Sequence, residues 1–104
     1  MVIYSDTARQ DLEDILYGLF VWRQGTLTFD HVKQYVFDIQ RMCDKLDTKE
    51  YHTNTIYRTH QKYGEKVYPY KRNKNTTWYI IYNIDEVTGN IYVNKIMNNY
   101  LTIK

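Results

Sequence analysis

Basic and aromatic side chains lie close together in the stretch YKRNKNTTWYIIYNID, which covers residues 70–85. Three of four consecutive residues there are basic, namely Lys71, Arg72 and Lys74, and Tyr79 follows within an apolar run. Cationic side chains bind phosphate groups, and aromatic rings stack on exposed nucleobases. The stretch therefore suits a site for a polyanion with stackable bases. A solvated turn beside a buried strand would contain the same residues, and both interpretations stay open at this point.

These residue types also suit one kind of metal-free chemistry. Cleavage of RNA by its own 2′-hydroxyl needs a base for that hydroxyl, cationic donors for the phosphorane and an acid for the leaving oxygen. The positive charge would come from Lys71, Arg72, Lys74 and Lys95. Tyr79 or Tyr100 would stack a base or hold a proton.

The histidines and the cysteine do not have the spacing of a metal site. Zinc ligands usually recur at short fixed intervals, and no such interval joins His31, His52, His60 and Cys43. We therefore expect no metal and no cofactor. Cys43 falls on the apolar stripe of a predicted helix and is expected in the core. His52 and His60 lie in a polar connection, where a role in a site is the less favoured interpretation.

Three predicted strands carry the basic and aromatic residues. The strongest covers residues 78–84 and is rich in aromatic and β-branched side chains. Residues 67–72 precede it, with Pro69 indicating an edge position or a bulge. Residues 90–97 follow the hairpin turn DEVTGN, in which Gly89 supplies a positive φ.

A short strand and two amphipathic helices are predicted ahead of these strands. The strand MVIY leads into the capping residues SDT, after which apolar residues recur at helical spacing until the pattern breaks at Gly25. Thr28 or Asp30 would cap the second helix, whose apolar stripe reaches Leu46. Residues 47–63 lack a period and are predicted as a polar connection with a short strand near residues 56–59.

This order of elements predicts the α+β class. The expected fold is an N-terminal strand, an antiparallel helical hairpin and a three-stranded antiparallel meander, with the helices packed on one face of the sheet. Alternation along the strongest strand directs Trp78, Ile80 and Tyr82 toward the helices and Tyr79 toward the opposite face. That opposite face would be free, and the basic residues would surround Tyr79 there.

Length and composition limit the class of protein. A chain of 104 residues with a net charge of +2 is expected to form one domain, residues 1–104, with one modest core. One cysteine is consistent with a reducing compartment. Neither a signal peptide nor a membrane-spanning segment is recognisable. We therefore expect a cytoplasmic protein.

The order and motifs of the chain resemble the RelE/ParE toxin family of bacterial type II toxin–antitoxin systems, which includes plasmid stabilisation proteins. YSDTARQDLEDI resembles the opening strand and helix of the family, with an A…DL..I signature formed by Ala8, Asp11, Leu12 and Ile15. WYIIYNID resembles its central strand and NIYVNKI its closing strand. The resemblance covers nearly the whole chain.

The resemblance implies a toxin neutralised by a cognate antitoxin, with no small-molecule cofactor and no membrane. RelE-like members cut mRNA in the ribosome without a metal, ParE-like members inhibit DNA gyrase, and a third alternative is an inactive binding protein. By position, Arg72, Tyr79 and Tyr100 would be catalytic, although RelE-like nucleases carry arginine where this chain has Tyr79. The expected nucleic-acid contacts are Lys71, Lys74, Lys95 and Asn98.

Overall fold

The computed structural model of the chain describes residues 1–22 and 28–99. Within them, a strand is followed by two long helices, a short strand, a short helix and three longer strands. The strands are β1 (Val2–Tyr4), β2 (Thr53–Asn54), β3 (Lys66–Lys71), β4 (Thr77–Ile84) and β5 (Ile91–Asn98). The helices are α1 (Asp6–Trp22), α2 (Phe29–Asp44) and α3 (Arg58–Gln61), and a 3₁₀ turn covers Leu46–Thr48.

The five strands form one mixed sheet in the order β1-β5-β4-β3-β2. Strands β3, β4 and β5 are antiparallel neighbours, which confirms the predicted meander. Strand β1 adds to the outside of β5 as a parallel strand, with Val2 opposite Ile91. Strand β2 pairs only with Lys66 and Val67. Pro69 therefore stands beyond β2 on an open edge, as expected for a residue that lacks a backbone N–H.

The two long helices cover one face of the sheet. Ala8 of α1 and Ile39 and Cys43 of α2 are buried in one cluster with Ile80 and Tyr82 of β4. Burial of this apolar surface is the main favourable contribution to folding. The α+β class and the packing of the helices on one face are thereby confirmed. No helix in the described part of the chain is both long and apolar enough to cross a bilayer.

Both long helices begin at residues that the sequence identifies as caps. The Oγ of Ser5 accepts a hydrogen bond from the backbone N–H of Ala8 at 3.0 Å. The Oγ1 of Thr28 accepts one from the N–H of His31 at 3.3 Å, so Thr28 rather than Asp30 caps α2. The predicted break at Gly25 lies outside the described residues.

The connection between the long helices and β3 differs from the prediction. The short strand lies at Thr53–Asn54 rather than near residues 56–59, and Arg58–Gln61 is helical. The carbonyl of Tyr57 accepts hydrogen bonds from the N–H groups of His60 and Gln61. His60 is buried at the same time. Tertiary packing here outweighs the β-propensity of the local sequence.

Candidate nucleic-acid interface

We call the face of the sheet that is turned away from α1 and α2 the outer face. Pro69, Tyr79 and Met97 lie in line across it on β3, β4 and β5. Because side chains alternate along a strand, Lys71 projects from the same face as Pro69, and Lys71 is exposed. Since Lys71 pairs with Thr77, it is a diagonal neighbour of Tyr79, at a separation of about 7–8 Å for such pairs.

Residues 55–65, which we call the strap, cover part of the outer face. The side-chain amide of Asn94 donates a hydrogen bond to the carbonyl of Tyr63 at 2.8 Å. The backbone N–H of Glu65 donates one to Oδ1 of Asn83, also at 2.8 Å. Tyr63 packs against a small cluster formed by Val67, Ile81 and Met97. The expectation of a free face is therefore wrong for this part, whereas the end that carries Lys71 remains exposed.

Tyr79 lies at the boundary between the covered and the exposed parts. It is half-buried, and its ring centroid is 4.8 Å from that of His60, with the two planes tilted by 44°. This separation is typical of interacting aromatic rings. One side of the Tyr79 ring is thus supported by the strap, which limits its movement and suits it to stack on a base.

Arg72 does not lie on the outer face. Its Nη1 donates a hydrogen bond to Oδ2 of Asp38 at 2.7 Å and one to the hydroxyl of Tyr70 at 3.2 Å. Its guanidinium carbon is 4.4 Å from the ring centroid of Tyr35. Because Asp38 and Tyr35 belong to α2, the side chain of Arg72 reaches the helical side of the sheet. The expectation that Arg72 lies beside Tyr79 is wrong, since an acid and an aromatic ring on α2 bind the guanidinium.

The ion pair between Arg72 and Asp38 also changes how readily the carboxylate is protonated. The hydrogen bond from Arg72 holds the pKa of Asp38 below its usual value. Both side chains are largely shielded from water, with 28% of Arg72 and 22% of Asp38 exposed. The ion pair therefore contributes more to stability than a fully exposed one would.

Lys95 lies on the outer face, but its charge is engaged within the protein. Its Nζ is 2.8 Å from Oδ1 of Asp11, which is 9% exposed. The other oxygen of that carboxylate accepts a hydrogen bond from the backbone N–H of Ile96 at 2.9 Å. Asp11 thereby provides an acceptor for a backbone N–H on the part of the β5 edge that β1 does not reach.

The remaining predicted residues are divided between several places. Lys74 is exposed in the turn between β3 and β4. Asn98 lies opposite Trp78 and therefore points to the helical side rather than toward Tyr79. Tyr100 lies outside the described residues.

His60 is a contact of the candidate site that the sequence did not assign to it. The sequence offers a weak signal for it, the spacing of three between Tyr57, His60 and Tyr63, which in a helical turn would place the three rings on one side. Because this turn lies over the sheet, His60 reaches Tyr79. A three-residue spacing inside a polar segment is too short a signal to predict that contact.

The resulting arrangement can hold a phosphate and stack a base. Lys71 and Tyr79 lie together at the exposed end of the outer face, and Lys74 follows in the next turn. Within residues 1–22 and 28–99, neither lysine forms an ion pair. Across the same residues, no group of three or more histidine, cysteine and acidic side chains is arranged to hold a metal ion.

Comparison with known proteins does not assign the chain to a family. No protein-family model matches the sequence, and no curated protein matches it significantly. The function of the outer face is therefore argued from its own geometry.

Proposed function

We propose that the chain is the toxin of a bacterial toxin–antitoxin module, a metal-independent, ribosome-associated endoribonuclease that holds mRNA on the outer face. The observation that carries the proposal is that Lys71 and Tyr79 project as neighbours from the exposed end of that face. An ammonium group beside a supported ring matches the two parts of a nucleotide, the phosphate and the base. The resemblance to RelE/ParE toxins supports the same conclusion and implies a cognate antitoxin as partner.

Because of where their side chains lie, several residues take roles in this proposal that differ from those expected from the sequence. Lys71 and Lys74 hold phosphates, and Lys71 donates to the phosphorane. Tyr79 stacks the base, and its hydroxyl or that of Tyr100 holds a proton during cleavage. Arg72 and Lys95 act in stability instead, because Asp38 and Asp11 bind them.

The test is cleavage of mRNA on translating ribosomes, with the new RNA ends mapped by sequencing. Lys71→Ala is compared with Lys45→Ala, which removes the same charge from an exposed position directly after α2. We expect the wild type and Lys45→Ala to cut equally. Lys71→Ala should cut about a hundred to a thousand times more slowly, because one donor to the phosphorane is missing.

Two results would count against the nuclease. Message that stays intact at saturating wild-type protein would overturn it. Equal cleavage by both lysine variants would show that the outer face is not where RNA is cut. Binding of a labelled single-stranded RNA, measured by anisotropy, then tells whether the face binds RNA without cutting it.

A second candidate is a toxin that inhibits its target by binding alone, as ParE-like proteins act on DNA gyrase. The ion pairs of Arg72 and Lys95 favour it, since they remove two cations from the predicted catalytic set. Exposed apolar side chains on the helices, such as Tyr17, Val21 and Phe37, offer a contact surface. Inhibited supercoiling by gyrase together with intact mRNA would support this candidate, and unaffected supercoiling would exclude it.

A further inference from the structure

His60 belongs to the strap and is held between two tyrosine rings. Its ring centroid is 5.3 Å from that of Tyr57, nearly perpendicular to it, and 4.8 Å from that of Tyr79. Only 1% of His60 is exposed. The imidazole therefore does not contact a ligand itself, but it supports the ring that the proposed function assigns to the base.

Hydrogen bonds and close packing of the strap fix the position of His60 relative to Tyr79. Besides the bonds of Tyr63 and Glu65 to the sheet, Thr55 Oγ1 donates a hydrogen bond to the carbonyl of Gly64 at 3.0 Å. Gly64 lies so close to β4 that a Cβ added there would be 3.0 Å from the carbonyl oxygen of Tyr82. These contacts flank His60 in the sequence, at Thr55 and at residues 63–65, so the imidazole has little freedom to shift.

The Nε2 atom of His60 is buried without a hydrogen-bond partner among the described residues. Burial of an unpaired polar atom costs free energy, and most buried polar atoms in proteins avoid that cost. A phenylalanine ring would fill the same space without it. Packing alone therefore does not account for an imidazole here. What the imidazole adds is a group that can take up a proton when the pH falls.

Among the described residues, His60 forms no ion pair that would compensate its charge after protonation. The rings in contact with it are those of Tyr57 and Tyr79, and Tyr79 packs in turn against the apolar cluster of Val67, Ile81 and Met97. The charged side chains of the strap, Arg58, Lys62 and Glu65, are exposed, and Lys95 of β5 is already bound by Asp11. Burial accordingly lowers the pKa of His60.

We propose that His60 is a positioning residue for the RNA site: its neutral imidazole holds the ring of Tyr79 for base stacking, and protonation of His60 releases that ring and weakens RNA binding. This inference rests on the proposed function and adds a pH response to the same site. Acidification separates the strap from Tyr79, because the buried imidazolium has to reach water. The ring then loses the support on its inner side.

The test measures binding of a labelled single-stranded oligouridylate by anisotropy between about pH 4 and pH 8, because burial moves the charge change of His60 below the ordinary histidine range. For the wild type, we expect the affinity to fall several-fold as His60 becomes protonated. His60→Phe should bind as the wild type does at pH 7 and lose this pH dependence. His60→Ala should bind weakly throughout, because the support of Tyr79 is missing. His31→Gln, at an exposed position on α2, should keep the wild-type profile.

A second measurement needs neither RNA nor a variant. Proton NMR of the wild type follows the His60 ring and the Tyr79 ring through the same pH range, and we expect their resonances to shift together. Tyr79 resonances that do not respond while His60 titrates would overturn the inference, and so would a pH profile of RNA binding that is the same in His60→Phe. Coupled rings in a protein that binds no RNA at any pH would support the coupling and overturn the proposed function instead.

Discussion

Asp11 of α1 and Lys95 of β5 form an ion pair of 2.8 Å. The same carboxylate also accepts a hydrogen bond from the backbone N–H of Ile96 at 2.9 Å. One side chain thus joins the first helix to the last strand at the point where β1 no longer covers the edge of β5. Asp11 belongs to the A…DL..I signature, and its contacts give that part of the signature a role in stability rather than in chemistry.

Replacement of Asp11 should destabilise the fold, and the loss should depend on whether the new side chain can still accept a hydrogen bond. We expect Asp11→Ala to lower the free energy of unfolding by about 2–4 kcal/mol, since it leaves the Ile96 N–H and the Lys95 ammonium without a partner. Asp11→Asn should cost less, because its amide oxygen can still accept. Urea denaturation followed by circular dichroism measures both. Glu13→Ala, exposed on the same helix, should change stability by less than about 0.5 kcal/mol, and equal losses at both positions would contradict the assignment.

Lys71 and Arg72 are adjacent in sequence and should respond oppositely to the same substitution. Arg72→Ala removes a hydrogen-bonded partner of Asp38 and a cation stacked on Tyr35, so we expect a loss of about 1–3 kcal/mol in the free energy of unfolding. Lys71→Ala should leave stability nearly unchanged and weaken RNA binding. Denaturation and RNA anisotropy on both variants check this. Reduced RNA binding by a fully folded Arg72→Ala variant, with Lys71→Ala unaffected, would reverse the assignment of faces.

The Asp38–Arg72 pair should make stability depend on pH in the acidic range. The pKa of Asp38 is lowered in the folded protein, chiefly by the hydrogen bond from Arg72. The unfolded chain therefore takes up this proton first as the pH falls. The contribution of Asp38 is complete above the ordinary aspartate pKa and is lost as the pH falls through the lowered value. Unfolding free energies measured across this range should show a shallower decline in Asp38→Asn, and identical slopes would contradict the prediction.

The predicted fold agrees with the structure in the long segments that have a strong pattern of apolar and polar residues. Trp78, Ile80 and Tyr82 face the helices as alternation predicts, and Gly89 has the positive φ that its hairpin needs. The parallel addition of β1 to β5 was not predicted, because a three-residue strand carries no signal for its partner. The helical turn at Arg58–Gln61 was missed because its main reason to form is the burial of His60 against a distant strand.

The candidate site was harder to predict than the fold. Tyr79 and Lys71 could be placed on one face because they lie on regular strands. Arg72 could not, since it follows the end of β3 and its direction is set by Asp38, which lies 34 positions earlier in the chain. The position of the Lys95 side chain is likewise set by an ion pair with a residue far away in the sequence, Asp11. Spacing along a strand predicts a face, but it does not predict which cations are already neutralised.

Two glycines should respond in opposite ways to alanine. A Cβ at Gly64 would lie 3.0 Å from a backbone carbonyl oxygen and 3.1 Å from Cγ2 of Ile81, so Gly64→Ala should lift the strap and cost about 1–3 kcal/mol. Gly18, inside α1, has no atom within 4 Å of the added Cβ, and Gly18→Ala should stabilise the protein by about 0.5–1 kcal/mol. Thermal and urea unfolding of both variants measure the two effects. A stable Gly64→Ala protein would mean that the strap is not packed closely on β4.

The single thiol should be unreactive in the folded protein. Burial, reinforced by the negative charge of Asp44, raises the pKa of Cys43 to about 12. Since the thiolate is the reactive form, alkylation by iodoacetamide should be at least about a hundredfold slower in the native state than in denaturant. Mass spectrometry of quenched samples follows the reaction. Equal rates in both states would place Cys43 outside the core.

The pairing of β1 with β5 has a consequence for biosynthesis. Val2 leaves the ribosome well before its partner in the sheet, Ile91. Contacts between positions so far apart in sequence close slowly and raise the contact order of the fold. Until β5 has emerged, one edge of β4 is unpaired, and exposed edges of this kind invite aggregation or capture by other chains. The sheet is therefore completed only after β5, the strand that joins β1 to β4, has left the ribosome.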